Sequence, residues 1–352
     1  MLKRIEILLI LTVLLLSTSC ISSASGLDLS GSLQSFLDYN LKSGELGYDD
    51  LLTITGENDF GFTSDFYLDL TMIKNDKNED IELKLSQAYL DYYTENMDWR
   101  VGKQEINWGS SYKINPTSYF DSQQLMQLDP VSITEGVRAV RGTYYGPGDI
   151  ELIGVVAPFA SGSNDLDDIE YAVKATRRQF HGWDLSLSGF KGRDEVTVPG
   201  GNIMKPEVTA VGFDMIGSIN VVGVWTEVVY KNFNDALFNN NLEGVIGAEY
   251  RFYNNLSLTG QYYYKQGRIA QEPDFKALNL RITYPVRTFH ELEFTGIYEL
   301  DKDIVILRPQ FNYSLAEAVE LQVGASIVND NGEDYYGVPV QDTFYTGLNI
   351  HF

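Results

Sequence analysis

From Leu27 to the C-terminus the chain repeats one unit: about ten residues that alternate apolar and polar, then a few turn residues. Period two sends successive side chains to opposite faces of a strand, so each face meets its own surroundings. About eighteen such units follow one another, with about sixteen as the alternative count, and no long helix is predicted. The connections between them sort into two kinds. Residues 42–50, 75–80, 110–135, 160–168, 194–207, 232–241, 267–274 and 329–341 read as longer, polar or acidic connections. Residues 61–64, 95–97, 146–149, 181–182, 218–220, 253–255, 287–289 and 316–318 read as short turns that fall between them. Only Leu300 to Asp303, short where a long connection is due, breaks the alternation. Tight turns at one end and long loops at the other are what an antiparallel transmembrane barrel shows, and a soluble sandwich does not sort its loops this way. The even strand number also returns the C-terminus to the side of the N-terminus.

The chemistry of the faces agrees. Leu278, Leu280, Ile282 and Tyr284 oppose Asn279, Arg281 and Thr283; Val319, Leu321, Val323, Ala325 and Ile327 oppose Glu320, Gln322 and Ser326. Leu242, Ile246, Ala248 and Tyr250 oppose Glu243, Glu249 and Arg251. A Lys or Arg on a lipid face at mid-depth costs about 2–4 kcal/mol, so holding such groups to one face across many strands implies a wet interior. Trp99, Tyr144, Tyr250, Phe252, Tyr284 and Tyr313 fall near strand ends, where interfacial girdles lie. Alternation is poorer over 81–93 and 136–145, which predicts a bulge or displaced boundaries there. Pro309 sits inside a predicted strand, where it removes a ladder hydrogen bond.

The two ends of the chain carry further information. Lys3 and Arg4 precede an apolar run from Ile7 to Leu16, then small residues about Ala24 and Gly26. This predicts a secretory signal over 1–26, since the run is shorter than the ~20 residues of a spanning helix. Cys20 invites a lipoprotein reading, but Ser17 stands where a lipobox carries Leu; without lipidation the only Cys leaves with the leader. The formal charge of −23 argues against nucleic acid as a partner and suits a surface facing water, cations and lipopolysaccharide-bound divalent ions. At the other end Phe344, Thr346, Leu348, Ile350 and Phe352 share one face of a last strand. Tyr345-x-Gly347-x-x-Ile350-x-Phe352 resembles the C-terminal β-signal of bacterial outer-membrane barrels, which implies recognition by the barrel-assembly machinery.

The expected fold is therefore all-β: a transmembrane antiparallel barrel over 27–352, with short periplasmic turns and long extracellular loops. Unpaired backbone in hydrocarbon costs several kcal/mol, so the sheet must close. Eight strands leave a filled interior, whereas sixteen to eighteen leave an aqueous channel; that count selects a porin for ions or small hydrophilic solutes. Arg100, Arg138, Lys174, Arg178, Arg251, Arg281 and Arg308, with Asp69, Asp214, Glu227, Glu249, Glu293 and Glu320, are the candidate lining charges. Rows of both signs make a transverse field that sorts solutes; salt bridges that stiffen the wall are the plain alternative. The connection 110–135, with Tyr112, Lys113, Asn115, Pro116, Tyr119, Phe120 and Asp121, is long and aromatic, and is expected to fold into the lumen and narrow it. The alternative is a loop packed over the rim.

Arg100-x-Gly102-Lys103-Gln104-Glu105-Ile106-Asn107-Trp108-Gly109, then Asn115-Pro116 and Phe120, is similar to a Gly-Arg-Gln…Trp-Gly…Asn-Pro segment of outer-membrane porins of the alginate-export and phosphate-selective types. Lys103 stands where Arg is usual. The resemblance covers about twenty residues, implies a barrel with an inward-folded loop, and fixes no solute.

Three rivals stay open. A structural or adhesive barrel with a closed lumen has the same strands. A secreted soluble β-protein would lack the lipid-facing surface. An outer-membrane enzyme needs His near the outer leaflet, and His181, His290 and His351 are all predicted at the periplasmic end, which disfavours it. No cofactor or metal is expected: the acidic stretches 164–168 and 329–334 lack full Ca²⁺-loop spacing. Partners are outer-membrane lipid and lipopolysaccharide, the assembly machinery and small solutes, with a homotrimer among the open assemblies.

Overall fold

The computed structural model describes residues 27–59, 63–76, 80–112, 114–120, 135–158, 168–198, 202–269, 272–329 and 341–352. The segment 1–26, and with it the expected leader and Cys20, lies outside them. In chain order the strands are β1 (Leu27–Asn40), β2 (Leu46–Asp59), β3 (Ser64–Asn75), β4 (Glu82–Tyr93), β5 (Met97–Gln104), β6 (Val137–Gly146), β7 (Ile150–Ala157), β8 (Glu170–Phe180), β9 (Trp183–Arg193), β10 (Val196–Thr197), β11 (Ile203–Met204), β12 (Glu207–Ile219), β13 (Val222–Phe233), β14 (Asn241–Arg251), β15 (Ser257–Lys265), β16 (Phe275–Arg287), β17 (His290–Glu299), β18 (Ile304–Ala316), β19 (Val319–Asn329) and β20 (Thr343–His351).

All but β10 and β11 form one 18-stranded antiparallel sheet in which each strand pairs with its sequence neighbours; β9 pairs with β12 across the small β10–β11 hairpin. β20 also pairs with β1, with Phe36 opposite Gly347, so the sheet closes into a barrel with no free edge. Phe36 lies over Gly347, where a Cβ would stand 2.3 Å from its ring.

The two ends differ as the connection lengths require. One end carries the short connections 60–63, 94–96, 147–149, 181–182, 220–221, 252–256, 288–289 and 317–318, together with both barrel termini. His181 and Gly182, with φ of 53° and 86°, form a two-residue turn of the primed kind, whose twist matches the flanking strands. The other end carries 105–136, 158–169, 194–206, 234–240, 266–274 and 330–342. The connection expected over 42–50 is only 41–45, because Leu46 already begins β2 and Asp49 and Asp50 are strand residues. Asp50 there accepts the Ser35 hydroxyl at 2.5 Å. The connection expected over 110–135 is longer at both ends, 105–136.

Outward-facing residues form an apolar belt: Val173, Leu187, Val211 and Ile246 are 62%, 61%, 61% and 54% exposed. Water would not tolerate so large an exposed patch on a monomer, and hydrocarbon does. Trp99, Tyr144, Phe252, Tyr284 and Tyr313 ring the short-turn end. A second ring at the long-loop end, which sequence reading did not single out, comprises Tyr39, Tyr171, Tyr230, Tyr298 and Phe344.

The two irregular stretches have different causes. Asp69 lies opposite Gln87 but Leu70 opposite Leu85, so Ser86 is an extra residue and β4 is bulged. Over 136–145 no register shift occurs. The expected bulge is absent there; the inward face of β6 is apolar at Val137 and Ala139 because residues of the preceding connection, 105–136, pack on it. At Pro309 the β18–β19 ladder passes from Leu307–Ile327 to Gln310–Gly324 in unchanged register, leaving the proline unpaired on that side.

Candidate functional site

The inner wall has two sectors. On one, the described part of the 105–136 connection lies against the strands. Ile106 and Trp108 pack with Ala139, Val155, Ala172, Phe190, Ala210 and Val229, which come from β6 to β13. Ile114 packs with Val245, Tyr263, Phe275, Ala277, Ile297, Ile304 and Ile306, from β14 to β18. The segment thus lines the inward faces of half the wall and more. Tyr119 stacks on Phe190 at 5.0 Å and shares a hydroxyl hydrogen bond of 2.8 Å with Ser188; Phe120 meets the edge of Phe190 at 5.5 Å. Tyr112 lies under the Arg281 guanidinium, 5.1 Å from its ring centre.

Glu227 on β13 joins segment and wall. Its Oε1 accepts the N–H groups of Ser110 and Ser111, each at 2.7 Å; its Oε2 accepts the Thr117 N–H at 3.2 Å and the Thr117 hydroxyl at 2.8 Å. The Trp-Gly…Asn-Pro residues shape this knot. Gly109 has φ of +109°, and a Cβ there would stand 2.6 Å from Asn115 Oδ1 and 2.7 Å from Glu227 Oε1. Asn115 Oδ1 accepts the Ser111 N–H at 3.0 Å, and its carbonyl accepts the Ser118 N–H at 2.9 Å around a turn with Pro116 in second place. Lys113 and Asp121 lie outside the described residues.

Several inward charges of this sector meet opposite charges. Lys174 lies 3.0 Å from Asp214, Arg178 2.8 Å from Glu151, and Arg281 2.7 Å from Glu293. Lys231 bridges Asp194 at 3.0 Å and Glu243 at 3.5 Å. At its border, Arg100 makes two 2.7 Å contacts to Asp91 and stacks 3.7 Å above the Tyr89 ring. Glu249 accepts the Thr259 hydroxyl at 3.4 Å, and Arg251 follows it, exposed, at the short-turn end.

The other sector, β19 through β3, is different. By register from Phe36, the inward residues of β1 to β3 include Asp28, Asp38, Asp49, Glu57, Asp59, Asp65 and Asp69. These three strands hold one basic residue, Lys74, and its register puts it outward beside Asp50. Apolar members of this face are few: Phe36, Leu51 and Ile73, all buried. Asp69 accepts the Thr71 hydroxyl at 3.4 Å, and Glu320 the Gln322 amide at 3.3 Å. Arg308 lies 5.6 Å from the centre of the Tyr345 ring. Tyr345 and Gly347 face inward, Ile350 and Phe352 outward.

Two expectations need correction. Arg138 does not face the bore: Arg141 lies opposite Arg100 on the inward face, and Arg138 lies opposite Lys103 on the outward one. Polarity misleads here because Val137 and Ala139 face inward under the packed segment. Lys103 itself reaches Glu135 at 2.5 Å and the Leu85 carbonyl at 2.7 Å at the rim. Its ammonium keeps the Glu135 carboxyl below the usual carboxylate range. Glu227 likewise does not line open space; it is wholly buried beneath the segment. Arg141 and the role of Glu227 were not legible, since both depend on what the covering segment lies against, and for Glu227 that segment is more than a hundred residues away in sequence.

No family model and no curated protein matches the chain. Solved structures do. OmpT of Vibrio cholerae, an outer membrane protein in a trimer form, aligns with a TM-score of 0.51 at 11% identity over 93% of this chain and 99% of that one. A triple mutant of the Rhodopseudomonas blastica porin aligns at 0.52 and 15% identity over 93% and 100%. These likenesses give the fold: a barrel of the outer-membrane porin type.

Proposed function

We propose that the chain is a porin of the bacterial outer membrane, a channel through which ions and small hydrophilic solutes diffuse passively. The observation that carries this reading is the inner face of β1 to β3, polar and acidic in a barrel whose outside is an apolar belt. Such a wall is stable only against water, and a barrel of this strand count has room for it. The segment 105–120 narrows the bore from the opposite side, and Glu57 and Asp69 face the space that is left. Their field favours cations over anions. The similarity of residues 100–120 to alginate-export and phosphate-selective porins bears on the inward segment; the acidic wall speaks against a phosphate-like solute. Long loops face outside, the C-terminal strand is read by the assembly machinery, and lipid and lipopolysaccharide surround the belt. A homotrimer, the form named for the OmpT structure, is the assembly we favour. The paired charges of the other sector serve to stiffen the wall.

Planar-bilayer recording tests the reading. Stepwise conductance with a reversal potential on the cation side in a KCl gradient is expected. A folded barrel that stays silent would establish the closed-lumen alternative, and an anion-side potential would remove the assignment of selectivity.

A further inference from the structure

We infer that Glu227 sets the width of the bore: it is a positioning residue that holds the segment 105–120 in register across the wall and touches no solute. The inference rests on the porin reading for its meaning, but not for its geometry.

Glu227 is fully buried, and each of its four hydrogen-bond partners is a donor: the N–H groups of Ser110, Ser111 and Thr117 and the Thr117 hydroxyl. Four converging donors match a carboxylate, which only accepts, and not a carboxylic acid. Among the described residues no Lys or Arg makes an ion pair with it. The neighbouring bases are engaged: Lys174 with Asp214, which lies opposite Glu227 in the ladder, and Lys231 with Asp194 and Glu243. The negative charge is thus met by the segment's own backbone. Two consecutive N–H groups, those of Ser110 and Ser111, point at one oxygen, an arrangement that binds anions.

The dependence is mutual. Without the segment the wall would hold a carboxylate stripped of partners; without the carboxylate the Ser110 and Thr117 N–H groups lose their acceptor, and the Ser111 N–H keeps only Asn115 Oδ1. The apolar contacts of Ile106, Trp108 and Ile114 hold the segment to the wall but are non-directional and tolerate sliding. Direction comes chiefly from Glu227, which gathers four donors at one point; Ser111 Oγ donating to Gln261 at 2.9 Å, Ser110 Oγ to the Met215 carbonyl at 3.4 Å and the Tyr119–Ser188 hydroxyl pair at 2.8 Å are single secondary ties.

The test compares wild type with Glu227→Ala, Glu227→Gln and Thr117→Val, each folded in detergent and checked by heat-modifiable gel migration. Two readouts are taken: amide exchange in a peptide covering 108–118, and single-channel conductance. In Glu227→Ala, protection of the segment is expected to fall about tenfold or more, and unit conductance to rise about twofold. Glu227→Gln, which places an amide against the N–H donors, falls between, and Thr117→Val shows the smallest change. Unchanged protection and conductance in folded Glu227→Ala overturn the inference while wild-type conductance keeps the porin reading. Released amides with a silent wild type do the reverse. Should Glu227→Ala fail to fold, Glu227→Gln and Thr117→Val carry the same two readouts.

Discussion

The inner faces of β1 to β3 and of β6 to β18 belong to one sheet, yet they solve the problem of inward charge in opposite ways. Behind the segment the wall is largely covered, and a charge there gains from a partner. Lys174 has Asp214, Arg281 has Glu293, and Glu227 has four donors from the segment. Facing the segment, β1 to β3 carry acids of one sign with no inward base. That is affordable only where water screens them. The contrast teaches that inward position alone does not make a residue part of a conduction path; what covers it decides.

Stability depends most on the buried pairs. Replacing Asp214 by Ala leaves the Lys174 ammonium without its carboxylate in a covered part of the wall, and should destabilise the barrel by about 3 kcal/mol. Urea unfolding from lipid vesicles would measure it; a loss no larger than that of a surface change would mean that water reaches this sector too. Gly109→Ala comes next. It forces a Cβ against Asn115 and Glu227 at positive φ, for about 1–3 kcal/mol. It should also shift conductance in the same direction as loss of Glu227.

On the acidic sector the expected effect moves from stability to selectivity. Glu57→Gln with Asp69→Asn should change unfolding by less than about 0.5 kcal/mol yet draw the reversal potential toward zero. A large stability loss would show that these carboxylates are partnered in the folded barrel. The smallest effect lies at the rim. The Gly267 N–H, 3.1 Å away, and the Tyr264 hydroxyl, 2.9 Å away, hold the Asp274 carboxyl below its ordinary range. A carboxylate depressed on folding contributes stability above its unfolded pKa of about 3.9, and loses it as pH falls through the folded value. Amide exchange at Gly267 should therefore be slow at neutral pH and speed up only below about pH 4. Equal protection at pH 7 and pH 3, after correction for intrinsic rate, would remove the role of that contact.

Much of the fold was legible because the bilayer and the lumen write their demands at every second residue. Leu278, Leu280 and Ile282 against Asn279 and Arg281 needed no tertiary knowledge to assign, and the bulge in β4 announced itself as a lapse of alternation. The same rule misassigned β6. There the inward residues Val137 and Ala139 are apolar because protein, not water, lies against them, so Arg138 read as inward when Arg141 is. The short 41–45 connection was misjudged for a related reason: Asp49 and Asp50 looked like loop residues, though a carboxylate near the strand end can face the lumen or meet Ser35.

The barrel itself, its chain of antiparallel hairpins, the end that bears the turns and the apolar outside follow from the order of residues, because a period of two and a run of hairpins are local properties; the exact count of eighteen strands in the barrel came from the pairing. Which inward charges are covered is settled by packing across the interior, where Glu227 meets Ser110, Ser111 and Thr117, and no local pattern records a contact between residues more than a hundred positions apart.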